Sequence, residues 1–289
     1  MTWFAEYKRS VKMIEVEEVF DLIFYRPLAF LFVKLVYPTS LTPNQITFIA
    51  LGFGVLAGIM YGFGGRDALI TAGILLIIYD ILDCSDGQLA RLKKNGTLTG
   101  RIVDGFSDWV VSAAIYLGIG FGYANASENP FLMWLVVVVA GATNALHSIL
   151  LDFYRNRFMD NVLNRANTLG DSLKEFENEY ATLNNVKERY FDKFILWLYL
   201  KYSSLQIKFS SGNDNRFDGD DYYRKNRSIL HLWTYLGPTS EFTFLIICSF
   251  LNRVDIFLWG LIVAGNLYAG LLFFIQSRIN RTLKPAVPA

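Results

Sequence analysis

The sequence predicts an all-α integral membrane protein, with six transmembrane helices preceded by an amphipathic helix in the membrane interface. Three observations predict it. Hydrophobic residues make up 53% of the 289 and charged residues only 18%, whereas soluble domains are about a quarter charged. The charges are also unevenly placed: segments 35–65, 68–79, 109–127, 129–151, 242–252 and 256–277 carry no Asp, Glu, Lys or Arg. Several of these reach or approach the ~20 residues a helix needs to span hydrocarbon. The net charge of +1 creates no general field for nucleic acid, and no nucleic-acid partner is expected. Cys84 and Cys248 lie far apart in apolar settings, so they read as core residues and not as a disulfide or zinc framework.

In chain order, 1–42 forms a polar N-terminus and the interfacial helix. Residues 1–18 are polar and of mixed charge, so no cleavable signal peptide is expected. Residues 19–37 mix apolar side chains with Asp21, Arg26 and Lys34, which suggests an amphipathic helix lying in the interface. Pro38, Thr39 and Ser40 break it. Thr42-Pro43 then starts a helix, a cap residue followed by proline in the first turn. The predicted spans are 43–63, 68–92, 98–123, 130–155, 236–251 and 255–278. The fifth is short and carries Pro238 and Glu241. Spans one to four form a unit over 43–154, a polar insertion follows at 155–235, and 236–289 holds the last two spans and a tail. Within the insertion, 190–208 is apolar enough for a helix and 210–221 reads as a polar, mobile loop. Basic residues gather on one side: Lys8, Arg9, Lys12, Arg26 and Lys34, then Lys93, Lys94 and Arg101, then Arg278, Arg281 and Lys284. Only Arg66 and Arg253 fall on the other. Both termini are therefore expected in the cytoplasm.

The acidic residues at the second and third spans are the functional signal. Asp80, Asp83 and Asp86 end one span; Asp104 and Asp108 begin the next. Ionisable groups in a span are costly and usually line a polar cavity. Positions 83 and 86 share a helix face, as do 100, 104 and 108. About the turn near Asn95-Gly96, Asp86 faces Asp104 and Asp83 faces Asp108 at matched depth in an antiparallel hairpin. Four converging carboxylates repel unless protonated or bridged by cations. With no His or Cys pair present, hard ions such as Mg²⁺ or Mn²⁺ suit the site. The competing structural reading pairs the aspartates with Arg91 and Arg101. Against it, Gly87, Ala90 and Gly100 clear space beside the carboxylates where a substrate could enter.

The run Asp83-Cys84-Ser85-Asp86-Gly87-Gln88-Leu89-Ala90-Arg91, followed by Gly100, Asp104 and Asp108, resembles the signature of the CDP-alcohol phosphotransferase family at every fixed position. Thr42, Pro43, Asn44 and Thr47 are similar to the opening of the family's first span. The resemblance implies a phospholipid-synthesis enzyme. Such an enzyme cleaves a CDP-linked donor, releases CMP and passes the substituted phosphoryl group to an alcohol. It implies Asp83, Asp86 and Asp104 as ligands of two Mg²⁺ or Mn²⁺ ions, with Asp108 as the base and a further ligand. Arg91 would neutralise the pyrophosphate. Gly87, Ala90 and Gly100 would admit the cytidine, with Pro43, Asn44 and Thr47 at its rim. A homodimer is also implied, while the orientation set by the basic residues places the acidic site near the cytoplasmic side.

Arg101, Arg155, Arg157 and Arg26 are candidate contacts for an anionic acceptor, beside His147, Asp152 and Tyr154. Arg155 and Arg157 read equally as membrane-surface anchors, His147 as a core histidine, and Asp80 as a supporting residue. The run Phe24-Tyr25-Arg26-Pro27 resembles members that handle inositol phosphates, tilting the expectation toward CDP-diacylglycerol as donor and a polyol phosphate as acceptor. The alternatives are transfer from CDP-choline or CDP-ethanolamine to a lipid alcohol, a cation transporter, and a catalytically dead scaffold. The apolar stretches beyond the acidic cluster, 68–79 and 109–123, suit a site open on one side and weigh against a transporter.

Overall fold

The computed structural model describes residues 3–11, 13–163 and 217–285, with isolated positions between 176 and 200. Most of the expected helix at 190–208 and most of the loop expected at 210–221 lie outside the described residues; positions 193, 196, 197 and 200 are described and helical. Asp218 caps a helix that begins at Gly219, so the end of that loop is ordered.

The described chain is helical, and it is an integral membrane protein. α1 is Trp3–Ser10, and a wide π turn at Asp21–Tyr25 leads into α2, Arg26–Val36. α3 is Pro43–Phe63, α4 Arg66–Lys93, α5 Leu98–Ala126 and α6 Pro130–Val162. α7 is Gly219–Trp233, α8 Pro238–Phe250 and α9 Val254–Asn280, the last with a π turn at Gly260–Gly265. Five helices (α3, α4, α5, α6 and α9) are long and apolar enough to cross a membrane. α8, with 13 residues, is only ~20 Å long at ~1.5 Å per residue, short of the ~30 Å hydrocarbon core. The fourth predicted span runs on to Val162, past its expected end at 155.

Local chemistry accounts for the boundaries. Thr42 and Gln45 close a reciprocal capping box at the start of α3, satisfying two backbone N–H groups. Gly64 and Gly65, with φ of 64° and 78°, make the α3–α4 turn through a backbone region that side chains disfavour. Thr97 caps α5 by accepting from Gly100 N. Lys93 Nζ donates to the Thr39 and Leu41 carbonyls, each at 2.9 Å, tying the α2–α3 elbow to the end of α4.

α3 packs along both α4 and α5, which make little direct contact with each other among the described residues. This differs from the closed antiparallel hairpin expected from the spacing about Asn95-Gly96. The cause lies in small residues. A Cβ at Gly54 would stand 2.5 Å from Val111, and one at Gly58 2.5 Å from the Ala114 carbonyl. A Cβ at Gly118 would overlap the Gly58 carbonyl, and one at Gly122 the Tyr61 carbonyl. Within lipid there is little hydrophobic drive between helices, so close backbone approach through glycines selects the partner. Gly54, Gly58 and Gly62 recur every fourth residue on α3, and Gly118 and Gly122 do so on α5. α3 is thereby drawn against α5, between it and α4.

α2 departs from the expected amphipathic pattern. Ala29, Phe30 and Val33 are buried on its inner side, while Leu28, Leu31 and Leu35 are exposed on its outer side. Asp21 and Arg26, which suggested a watery face, are buried. Arg26 pairs with Glu17 at 2.6 Å, and its carbonyl accepts from Gln88 Nε2 at 3.1 Å. Glu18 caps α8 from a distance in sequence. Its Oε2 accepts from Ser240 N at 2.9 Å and from Ser240 Oγ at 3.0 Å, and Arg155 lies 3.5 Å away. Its carboxylate fills the space where a side chain at Gly237 would sit.

Burial pushes the Glu18 carboxyl up to about 7, against opposition from Arg155 and the Ser240 hydrogen bonds. Asp21 is raised by burial too. Between the ordinary carboxylate range and about pH 7, the folded protein therefore holds a proton that the unfolded chain has released. Stability must fall as pH rises through that window. Thermal melts of the detergent-solubilised protein should show Tm declining from pH 5 to pH 7.5. Glu18→Gln should flatten part of the decline; an unchanged slope would remove Glu18 from the account.

Candidate metal centre

The site is built where α4 and α5 approach beside the start of α3. One carboxylate oxygen each from Asp83, Asp104 and Asp108 lie within 4.8 Å of one another. Asp83 thus meets both acids of α5, as the four-residue spacing of 104 and 108 allows. Three partly buried carboxylates this close repel strongly unless a proton or a cation lies among them. An all-oxygen donor set with no His or Cys fits Mg²⁺ or Mn²⁺.

Asp86, the fourth carboxylate expected in the set, lies outside this group of three. It is buried and accepts a hydrogen bond from the Thr47 hydroxyl, which also donates to the Pro43 carbonyl at 3.2 Å. Thr47, singled out from the sequence, thus reaches Asp86 from α3, and Pro43 lies one turn before it. Asn44 lies beside Gly100: a Cβ there would stand 2.8 Å from Asn44 Oδ1 and 3.0 Å from Thr97 Oγ1. The clearance at Gly100 is therefore taken up by the side chains of Asn44 and Thr97. Gly87 likewise leaves room for Arg91, whose guanidinium stands 3.3 Å from where a Cβ would be. Arg91 Nε donates to the Ser10 carbonyl, turning the side chain toward α1. Ala90 packs near Gly96, with a contact of 3.5 Å to a Cβ built there.

Other expected contacts sit elsewhere. Arg101 lies over the Phe176 ring at 5.6 Å, and Arg157 over Phe153 and Phe217 at 5.9 and 5.6 Å. Arg155 is engaged by Glu18 and, at 3.7 Å, by Asp152. Tyr154 stacks on Trp233 with centroids 4.4 Å apart. His147 is fully buried, with Nδ1 2.7 Å from Glu241 Oε1. Asn144 Nδ2 donates to the other oxygen of Glu241 at 2.5 Å. Asp80 is buried with Oδ2 unpartnered among the described residues.

Tyr79 is the site residue that the sequence reading missed. Its hydroxyl donates to Asp108 Oδ1 at 2.8 Å. The signal was present, since Tyr79 lies four residues before Asp83 on the same face of α4. A hydrogen bond that aims a carboxylate is commonly worth 10–100-fold in metal affinity or activity. Tyr79→Phe should lower turnover by about that factor and weaken the metal dependence, measured as CMP release against Mg²⁺ or Mn²⁺ concentration. Wild-type behaviour in both would show that Asp108 needs no such restraint.

Residues 40–170 match the model of the family described as CDP-alcohol phosphatidyltransferase. This segment is a CDP-alcohol phosphatidyltransferase domain. It contains α3 to α6 and every aspartate of the cluster. Among curated relatives, the phosphatidylinositol phosphate synthase of Corynebacterium glutamicum is 30% identical over 108 residues, covering 37% of this chain and 47% of that protein. The archaetidylinositol phosphate synthase of Pyrococcus horikoshii is 34% identical over 83 residues, 29% of this chain and 43% of that protein. The chain spans slightly less than half the length of each.

Proposed function

We propose that this membrane protein transfers a phosphatidyl-type group from a CDP-linked donor lipid to a phosphorylated polyol, inositol phosphate being the favoured acceptor, and releases CMP. The observation that carries the reading is the convergence of Asp83, Asp104 and Asp108 within 4.8 Å, inside the segment that matches the family. The favoured acceptor follows the names of the two relatives, both of which make an inositol phosphate lipid. CDP-diacylglycerol is the proposed donor.

In this proposal Asp83, Asp86, Asp104 and Asp108 hold two divalent ions, Mg²⁺ or Mn²⁺. Bound there, the ions would neutralise phosphate charge and align an in-line displacement. Thr47 keeps the Asp86 carboxylate aimed. Asp108, oriented by Tyr79, accepts the proton of the acceptor hydroxyl. That oxygen bonds to the donor phosphorus bearing the lipid, and the bond from that phosphorus to the CMP oxygen breaks. Asn44, Pro43, Gly87, Ala90 and Gly100 surround the cytidine, and Arg91 adds positive charge to the pyrophosphate from the α1 side. Arg101 and Arg155 are the proposed acceptor contacts. The proposal extends to six membrane crossings with α8 as the short one, to cytoplasmic termini and active site, and to a homodimer.

The test is CMP release by the purified protein with Mg²⁺ or Mn²⁺, pairing CDP-diacylglycerol with inositol phosphate, inositol and glycerol phosphate. Metal-dependent release with inositol phosphate supports the reading. Release only from CDP-choline or CDP-ethanolamine with a lipid alcohol would reverse the direction of transfer. No release from any pair would overturn it.

A further inference from the structure

At the end of α4 remote from Gly65, α1 crosses over the helix: Arg91 Nε donates to the Ser10 carbonyl, and Lys34 Nζ reaches Glu6 at 2.6 Å. Between them lies a cleft of about 190 Å³, whose walls carry Arg9, Lys34, Arg91 and Lys94 against the single carboxylate of Glu6. That is several times the ~30 Å³ share of one water. Tyr37, an aromatic of the kind enriched at membrane surfaces, forms another wall, and Lys93 lies 6.0 Å from its ring centroid.

A second observation points to the ligand. Phe24, Leu28, Leu31 and Leu35 follow one another at spacings of four, three and four, and all are exposed, Leu35 at 76%. They form one apolar stripe that ends beside Lys34. A basic cleft opening next to an apolar stripe at a membrane surface matches a molecule with an anionic head and hydrocarbon tails. A free phosphate would use the cleft and leave the stripe unexplained.

We propose that this cleft binds the headgroup phosphate of an anionic membrane lipid, with the acyl chains lying along Phe24, Leu28, Leu31 and Leu35. The bound lipid joins α1, α2 and α4 outside the acidic cluster; Arg91 borders both this cleft and the proposed donor site, and the inference does not depend on which group the cluster transfers. Lys34 and Lys94 supply charge that no part of the proposed chemistry uses.

The test is native mass spectrometry of the full chain in detergent with equimolar phosphatidylglycerol and phosphatidylcholine. No CDP-lipid or acceptor is present, so failure here is separable from failure of the transfer reading. The wild-type protein should retain the anionic lipid preferentially, and the preference should weaken as salt rises. Each basic side chain near a membrane surface contributes roughly fivefold, so Lys34→Gln with Lys94→Gln should cut retention about 25-fold. The matching arginine substitutions should preserve it. Equal retention of the two lipids, or an unchanged double variant, would overturn the proposal. Displacement of the lipid by millimolar inorganic phosphate would also overturn it, by revealing a free-anion site.

Discussion

Asp104→Asn, or Asp83→Asn, should reduce CMP release by about 10³-fold or more, close to 4 kcal/mol of transition-state stabilisation, while the protein still inserts and folds. The reason lies in the charge balance of the cluster. Three carboxylate oxygens within 4.8 Å are held together against their own repulsion, and replacing one with an amide removes both a ligand and a repelling charge. Without divalent ions, the variant should therefore melt at or above the temperature of the wild type. Adding Mg²⁺ or Mn²⁺ should raise the melting temperature of the wild type, because a ligand that binds only the folded state stabilises it. That rise should be lost or much reduced in the variant. Chelation of the wild type should abolish turnover and leave the fold intact. Normal activity in either purified variant, or an undiminished metal-induced shift, would overturn the assignment of the cluster as a metal site.

Gly118→Leu should prevent assembly of the bundle. A Cβ at this position would overlap the Gly58 carbonyl, so the obstacle is backbone, which cannot turn aside as a flexible side chain would. Overpacking in a well-packed core commonly costs ~1–3 kcal/mol. Here the helices must also separate along the whole glycine seam, so the effect should lie at the upper end or beyond. α5 carries Asp104 and Asp108, and displacing it from α3 would move both away from Asp83. Activity should therefore fail along with stability. Gly52→Ala serves as the control, because nothing lies within 4 Å of a Cβ there and alanine favours the helix. The readouts are the monodisperse yield and the detergent melting temperature. A Gly118→Leu protein with the yield, melt and turnover of the wild type would show that the α3–α5 seam does not hold the site.

Charge-free runs and helical periodicity were enough to find the five helices long and apolar enough to cross a membrane, the start of α3 at Thr42-Pro43, and the aspartates of α4 and α5 that share a face. These features depend on composition and on 3.6 residues per turn, which a single strand of sequence carries. Periodicity placed Tyr79 on the face of Asp83 without showing what its hydroxyl meets, and it gave no sign of the role of Glu18. Tyr79 matters because its hydroxyl reaches Asp108, 29 residues away, at 2.8 Å. Glu18 matters because the N-terminus of α8 arrives beside it, 222 residues later. Arg26 and Asp21 looked like surface charges in the sequence, yet both are buried. No local pattern distinguishes a charge facing water from one facing a partner far along the chain.

By itself, then, the sequence determined that this is a helical membrane protein and which acids could meet, because burial pattern and helical period are local properties. Only the tertiary structure decided which helices are neighbours. It set α3 between α4 and α5 through the glycines at 54, 58, 118 and 122. It thereby brought Asp83 to Asp104 and Asp108 and left Asp86 to Thr47. Helices in lipid associate by close packing, not by hiding apolar surface from water, so the choice of partner rests on complementary surfaces that appear only when the helices meet.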